Sequence, residues 1–328
     1  MHAIVLPQPG PEPDVLQYRE IPDPVPGPED LLVRVRATAL NRADLMQRRG
    51  GYPQPGRKPE FEILGLEFAG EVIAAGPAVE GFAPGDRVMG LLAGGGYAEQ
   101  VTIHHRLAMH VPANLSWIEA GATPEAYITA HDALLQAGLV AGERVLVHAA
   151  GSGVGVAAIQ VAKALGASLV IGTAGSDEKL AAAAELGLDV GINYRDGDFG
   201  PAVASATGGR GVDVILDVIG AEYLDRNLKA LAPRGRITFV GLMGGATTPV
   251  NLGLILSKRL QLRGTVLRAR PLEEKAIAVR AFEKSVLPHI ASGRVKVVVD
   301  SVYPLARAAD AHRHMEANAN FGKIVLEC

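Results

Sequence analysis

The stretch most able to do chemistry runs from Val145 to Lys163. An apolar run, Val145-Leu146-Val147-His148, meets Ala149-Ala150-Gly151-Ser152-Gly153-Val154-Gly155, and a helical pattern follows. Small residues at such a junction let the backbone turn sharply and approach a diphosphate, while the N–H groups that open the helix face the anion. Ser152, Gly153, Val154 and Gly155 are therefore candidate pyrophosphate contacts, Ser152 through its hydroxyl or its N–H. A serine nucleophile would need an adjacent base, and the sequence gives no sign of one. The next apolar run, 168–172, leads into Thr173-Ala174-Gly175-Ser176. An NAD-selective strand ends there in Asp or Glu, which binds the ribose 2′-hydroxyl. Here no carboxylate stands ready to repel a 2′-phosphate. Lys179, Tyr194 and Arg195 follow closely, so the expected cofactor is NADPH, with Gly175, Ser176, Lys179 and Tyr194 at its phosphate. Asp177 and Glu178 fall in the first turn of a helix, where acids complement the dipole and face solvent.

Alternating strands and helices must position that turn. Strands are expected at 145–149, 168–172, 190–192, 213–217 and 236–240, and helices at 154–165, 176–186, 198–207, 222–231 and 250–259. This alternation predicts a doubly wound parallel sheet. Residues 1–124 read as short β-strands punctuated by Gly and Pro, with an extended loop over Ile21-Pro22-Asp23-Pro24-Val25-Pro26-Gly27-Pro28. The tail, 265–328, mixes a helix near 272–291, strands near 295–302 and 323–327, and a short helix near 305–317. The fold class is α/β: a β-rich domain from 1–124 plus 265–328, and a nucleotide-binding domain over 125–264.

Composition narrows the function classes. The 328 residues suffice for two domains, and a net charge of −3 gives no reason to expect a nucleic-acid or membrane surface. The one cysteine, Cys328, rules out an intramolecular disulfide and a cysteine-rich zinc site. No apolar run approaches the roughly 20 residues of a membrane span, and the first residues lack a signal-peptide pattern. A soluble, cytoplasmic protein is expected.

The segments Asn41-Arg42-Ala43-Asp44, Gly65-Leu66-Glu67-Phe68-Ala69-Gly70, Pro84-Gly85-Asp86-Arg87-Val88, Gly94-Gly95-Gly96-Tyr97-Ala98-Glu99 and the glycine turn occur in the order of the medium-chain dehydrogenases/reductases. The chain resembles that superfamily over essentially its whole length. Through Asn41–Gly50 and Met315-Glu316-Ala317-Asn318 it resembles the zinc-free NADPH:quinone oxidoreductases in particular. The resemblance implies a GroES-like catalytic domain, a Rossmann cofactor domain and a homodimer. Zinc alcohol dehydrogenases of the superfamily place Cys where this chain has Asn41 and His where it has Leu66, so no metal is expected. Ala150, Ser152 and Gly155 fill the three positions of the glycine motif. The resemblance sets the nicotinamide near Asn41, Thr129, Gly241, Leu242, Val266 and Leu267, with Gly220 a further expected cofactor contact and Asn320 and Lys323 either closing over the cofactor or flanking the last strand. It sets Tyr52 beside the substrate, where the phenol would hydrogen-bond an acceptor carbonyl or only shape the pocket. Tyr52 and Asn41 are thus the candidate catalytic residues, Asn41 as a polar contact.

The expected function is direct hydride transfer from NADPH to a quinone or another conjugated carbonyl, with neither zinc nor flavin. The alternatives are a 2-enoyl thioester or alkenal/one reductase, and, outside enzymes, an NADPH-binding redox sensor or structural protein. The apolar strand Leu260–Thr265 is the expected dimer edge. Of the histidines, His104 and His105 should point to opposite faces of a strand, His312 and His314 should diverge as solvated residues, and His148 should be a satisfied core residue.

Overall fold

A computed structural model describes residues 1–52, 54–56 and 59–328. The chain forms two compact units. One comprises Met1–Ile128, Leu267–Ser292 and Val297–Cys328, and the other Thr129–Val266 with Gly293–Lys296. The expected boundaries at 124/125 and 264/265 differ from these by a few residues, and the four residues from Gly293 were expected elsewhere. The first break falls inside a helix, Pro124–Gln136, that the sequence reading did not include. Gly293–Lys296 joins the second unit because Gln160 grips Lys296: Gln160 Nε2 donates to Lys296 O at 2.9 Å, and Lys296 N donates to Gln160 Oε1 at 2.7 Å.

In the first unit the long strand Asp30–Ala39 organises an antiparallel sheet. It alternates exposed and buried positions in its first half and turns fully buried at Thr38 and Ala39. Glu67–Ala75 pairs along one edge. Two short strands share the other edge: Gln100–His104 takes residues 30–34, and Lys323–Glu327 takes residues 37–39. Three strand ends therefore meet where the long strand gives way to Leu40 and Asn41. Ile4, Leu6, Leu40, Leu45, Tyr97, Met315 and Ile324 are part of the core beneath.

The second unit holds, among the described residues, a parallel sheet of six strands. Their order is Val190–Asn193, Leu169–Ala174, Arg144–Val147, Val212–Asp217, Leu231–Phe239 and Gln261–Gly264. Helices cover both faces of such a sheet, so the inner strands read as near-continuous Val, Ile and Leu. The strand Arg144–Val147, first in sequence, lies in the middle, so the chain order reverses beside it. Ligands of doubly wound sheets bind at such a switch point, outside the carboxyl ends of the strands.

The tail departs from expectation. The helix near 272–291 is two helices, Leu272–Ser285 and Leu287–Ala291. Pro288 has no N–H to continue the ladder, and the chain breaks at Val286. The strand expected at 295–302 runs over Val299–Pro304. Among the described residues no helix is long and apolar enough to cross a membrane.

His148, fully buried just past the central strand, faces Thr173 Oγ1 at 2.9 Å through Nδ1 and Asn227 Oδ1 at 2.7 Å through Nε2. Burial drives its pKa down from 6.5 to about 4. A depressed imidazole contributes full stability above its unfolded value and loses it as pH falls from 6.5 towards 4, by up to about 1.4 kcal/mol per pH unit. Chemical denaturation across that range should show His148→Gln less stable at neutral pH by about 1–3 kcal/mol, but with a shallower acid decline than the parent.

Candidate functional site

In the first unit the converging strand ends carry an ionic cluster. Lys323 opens the last strand and directs its ammonium inward, donating at 2.7 Å each to Leu40 O, Asn41 Oδ1 and Glu67 Oε1. All three ammonium protons are engaged. The side chains of Lys323 and Glu67 are 3% and 0% exposed. Asn41 Nδ2 donates to the same Glu67 oxygen at 2.9 Å and to Ala39 O at 3.3 Å. Asn41 was expected as a contact to substrate or nicotinamide. Its amide is instead held on both sides within the unit, leaving only a lone pair of Oδ1. Lys323, expected either over the cofactor or flanking the last strand, does the latter and anchors that strand to Asn41. Asn320 is buried and donates to Gly322 O at 2.9 Å.

Around this pair stand residues the sequence reading did not single out. Asp44, fully buried, accepts from Asn41 N (2.7 Å), Gly65 N (3.1 Å) and Tyr97 Oη (3.1 Å). Burial raises its carboxyl to about 6 against the pull of those donors and of Lys323. Tyr97 is driven well above the usual phenol range by burial and by Asp44, and so keeps the proton it donates. Glu125, at the start of the helix Pro124–Gln136, gives its N–H to Glu67 Oε2 at 2.8 Å. Arg268 is nearly buried and donates to Ala93 O (2.7 Å), Tyr52 O (3.0 Å) and Gln47 Oε1 (2.6 Å), while its guanidinium lies 5.0 Å from the Tyr52 ring centroid. Tyr52 is thereby fixed at both backbone and ring. Burial, then the charge of Glu125, raises its phenol above 10, so at neutral pH it is a protonated donor. The Asn-x-x-Asp spacing of Asn41 and Asp44 was a legible capping signal. Nothing in the local sequence around Glu125 or Arg268 marks either residue as part of a buried cluster.

In the second unit the turn after the central strand places Ser152 as the cap of the helix Gly153–Ala164. Ser152 Oγ accepts from Gly155 N at 3.0 Å and Ser152 N donates to Ala149 O at 2.8 Å. The expected contact through the Ser152 N–H is corrected, since that group closes the turn. The hydroxyl proton and the first-turn N–H groups of Gly153 and Val154 remain the donors suited to an anion. A Cβ on Gly155 would collide with Ala149 O, so only glycine permits this close approach. At the end of the second strand Thr173 turns inward to His148, and Gly175 packs so tightly under the Tyr194 hydroxyl that a Cβ would collide with it. Ser176 caps the next helix by accepting from Lys179 N at 3.4 Å, with Asp177 and Glu178 exposed. Gly175, Ser176, Lys179 and Tyr194 are thus drawn together. Gly220, Gly241 and the exposed Leu242 follow the fourth and fifth strands of this sheet, and Thr129 and the exposed Val266 also belong to this unit. Leu267 is buried and belongs to the first unit.

The histidines correct two expectations. The strand Gln100–His104 ends as a tight turn begins at His105, so the His104 and His105 rings stack, 5.0 Å apart at 19°, instead of diverging. With Glu29 they bring three ligand atoms within 4.8 Å of one another, a partly exposed surface group beside Arg106. His312 is fully buried, its ring facing Tyr97 Oη at 3.4 Å and Arg48 at 3.5 Å. It shares the buried face of its helix with Ala308, Ala311 and Met315, a helical spacing the sequence displayed.

Comparison with known proteins follows this geometry. A family model described as the alcohol dehydrogenase GroES-like domain matches residues 27–113, and one described as zinc-binding dehydrogenase matches residues 153–284. The chain is 34% identical over 322 residues to a quinone oxidoreductase of Pseudomonas aeruginosa, covering 96% of each. It is similar to a solved quinone oxidoreductase of Escherichia coli complexed with NADPH (TM-score 0.88, 32% identity, 100% of each chain). It is equally similar to a solved NAD-dependent alcohol dehydrogenase (TM-score 0.88, 35% identity, 100% of each chain).

The second family model raises the question of zinc. A zinc shell requires deprotonated Cys, neutral His or carboxylate donors. Here the relevant side chains are an amide, Asn41, a hydrocarbon, Leu66, and Glu67, whose Oε1 is already held by an ammonium. A second cation there would sit against Lys323, so this donor set does not fit the metal. Lys323→Met should strand a buried carboxylate and cost about 3–5 kcal/mol in denaturant unfolding. The double variant Lys323→Met/Glu67→Gln should recover a large part of that loss.

Proposed function

Because this chain belongs to the medium-chain dehydrogenase/reductase family, we propose that it is an NADPH-dependent reductase of quinones or other conjugated carbonyls, working without zinc or flavin. The observation that carries the reading is the Lys323 ammonium, engaged on Asn41, where zinc alcohol dehydrogenases place a metal-binding Cys, and on Glu67, next to Leu66, where they place a His. Alcohol oxidation in those enzymes draws on a metal that acidifies a bound oxygen. An acceptor that is already electron-poor makes no such demand.

The preference for NADPH over NADH rests on the second strand of the parallel sheet, which ends without a carboxylate, and on the grouping of Gly175, Ser176, Lys179 and Tyr194 beyond it. Ser152, Gly153, Val154 and Gly155 would hold the pyrophosphate, and Thr129, Gly220, Gly241, Leu242, Val266 and Leu267 the nicotinamide end. NADPH, when bound, supplies the hydride. Tyr52, held by Arg268, would donate a hydrogen bond to the acceptor oxygen and steady the negative charge that develops there.

A cytoplasmic homodimer is part of this reading. What supports the dimer is an edge strand, Gln261–Gly264, whose four residues are all exposed, together with exposed Leu252 and Leu256 on the neighbouring helix. Such an edge is suited to antiparallel pairing with a second copy. Light scattering after gel filtration should give a dimer mass, and Leu262→Glu should shift it to monomer.

Steady-state oxidation of NADPH and NADH with 1,2- and 1,4-quinones, enones and an enoyl thioester tests the function. Quinone turnover with NADPH above NADH is expected. Clearly faster enone or thioester turnover would favour the alternative substrate class, and tight NADPH binding without any turnover would favour a sensor. In fluorescence titrations Lys179→Ala should weaken NADPH by roughly ten- to a hundredfold, the equivalent of about 1.5–3 kcal/mol, and leave NADH nearly unchanged.

A further inference from the structure

Three carboxyls share the first unit's cluster in unlike circumstances. Glu67 is held by Lys323, Asn41 and the Glu125 N–H. Asp44 is held by three donors. Glu125 is different: its backbone is tied to Glu67, yet among the described residues its carboxyl has neither a hydrogen-bond donor nor a salt-bridge partner. It is only partly buried. Its charge is felt by Tyr52 and by Lys275 of the helix Leu272–Ser285. A carboxyl built into a polar cluster but left unpaired has no structural bond to explain it.

We propose that Glu125 is the proton donor of the reduction. The proposal rests on the reductase reading above and adds a catalytic residue to it. Hydride gives the acceptor two electrons and leaves it as an oxyanion. The O–H bond of the Glu125 carboxyl then breaks, a new O–H bond forms on the acceptor oxygen, and the carboxylate regains a proton from water at its exposed side. Tyr52 keeps its own proton and only hydrogen-bonds the same oxygen.

The surroundings suit this role. Burial first, then the carboxylates of Glu67 and Asp44, hold the proton on Glu125, while Lys323 and Arg268 pull the other way, and the balance lies near pH 8. A carboxylic acid poised close to working pH is efficient both at giving up a proton and at recovering it.

The test is the pH profile of kcat/KM for NADPH oxidation by a 1,4-quinone, measured on the parent, Glu125→Gln and Glu125→Asp. The parent should be flat below about pH 8 and fall about tenfold per pH unit above it. Glu125→Gln should be slower at neutral pH by at least about tenfold and lack the break. Glu125→Asp should retain a break at a shifted pH, and NADPH affinity should be unchanged in both. A Glu125→Gln profile that keeps the parent's rate or its break overturns the proposal alone. A parent that turns over no acceptor overturns the reductase reading and this proposal with it. Infrared titration of the parent gives a second measure: no carboxylic-acid C=O band that disappears between pH 7 and 9 would overturn the assignment even if Glu125→Gln does not fold.

Discussion

A single buried ammonium ties the first unit together. Lys323 must satisfy a carbonyl, an amide and a carboxylate, and these belong to two other chain segments: Leu40 and Asn41 just past the end of the long strand, and Glu67 at the start of its neighbour. Removing a charge from water is costly unless geometry and hydrogen bonds compensate. The compensation here exists only when the strands Asp30–Ala39, Glu67–Ala75 and Lys323–Glu327 are in their native register. A slip of one residue in a strand would turn its side chain to the opposite face and leave a buried charge alone. The ion pair is therefore a device that specifies register as much as one that adds stability.

The same cluster shows how environment differentiates identical functional groups. Asp44 and Glu125 are both carboxyls desolvated by the fold, and both feel Lys323. Asp44 receives two N–H groups and a phenol, which hold it near 6, whereas Glu125 receives none and faces the negative charge of Glu67, which holds it near 8. The difference follows from donors, and hence from backbone placement: Asp44 lies opposite the free N–H groups of a helix start and of Gly65, while Glu125 sits on a first turn whose own N–H is turned towards another acid.

The parallel sheet was legible because its signals are local. Apolar runs, small residues and helical spacing recur within each strand–helix unit, and the glycine turn, the central position of His148 and the helices from 153 to 230 follow directly. Two kinds of feature were not legible. Helix breaks and caps set by one residue, such as Pro288 dividing the helix after Val286, or the tight turn that stacks His104 on His105, depend on where an element stops, which periodicity does not report. The ionic cluster depends on contacts across long separations: Lys323 and Glu67 are 256 residues apart and Arg268 and Gln47 are 221 apart. Lys323 at the start of an apolar strand looks like a solvated end. Only the antiparallel pairing of Lys323–Glu327 with residues 37–39 turns its side chain towards Asn41.

An internal lysine also constrains the chemistry available around it. An ammonium has no vacant orbital, so it cannot bind an alcohol oxygen and lower its pKa as a metal does. With all three protons engaged, it cannot hydrogen-bond a substrate either. Its influence on a reaction is confined to its field, and Glu67 cancels much of that. Whatever negative charge arises on an acceptor must then be met by groups that still have a proton to offer. In this cluster Tyr52 and Glu125 meet that condition, since Asp44 and Glu67 are held as acceptors and Arg268 is held by two carbonyls and Gln47. The arrangement suits an acceptor whose reduced form is already a stabilised oxyanion, as a quinone's is, because such an acceptor asks the protein for a hydrogen bond and a proton rather than for a Lewis acid.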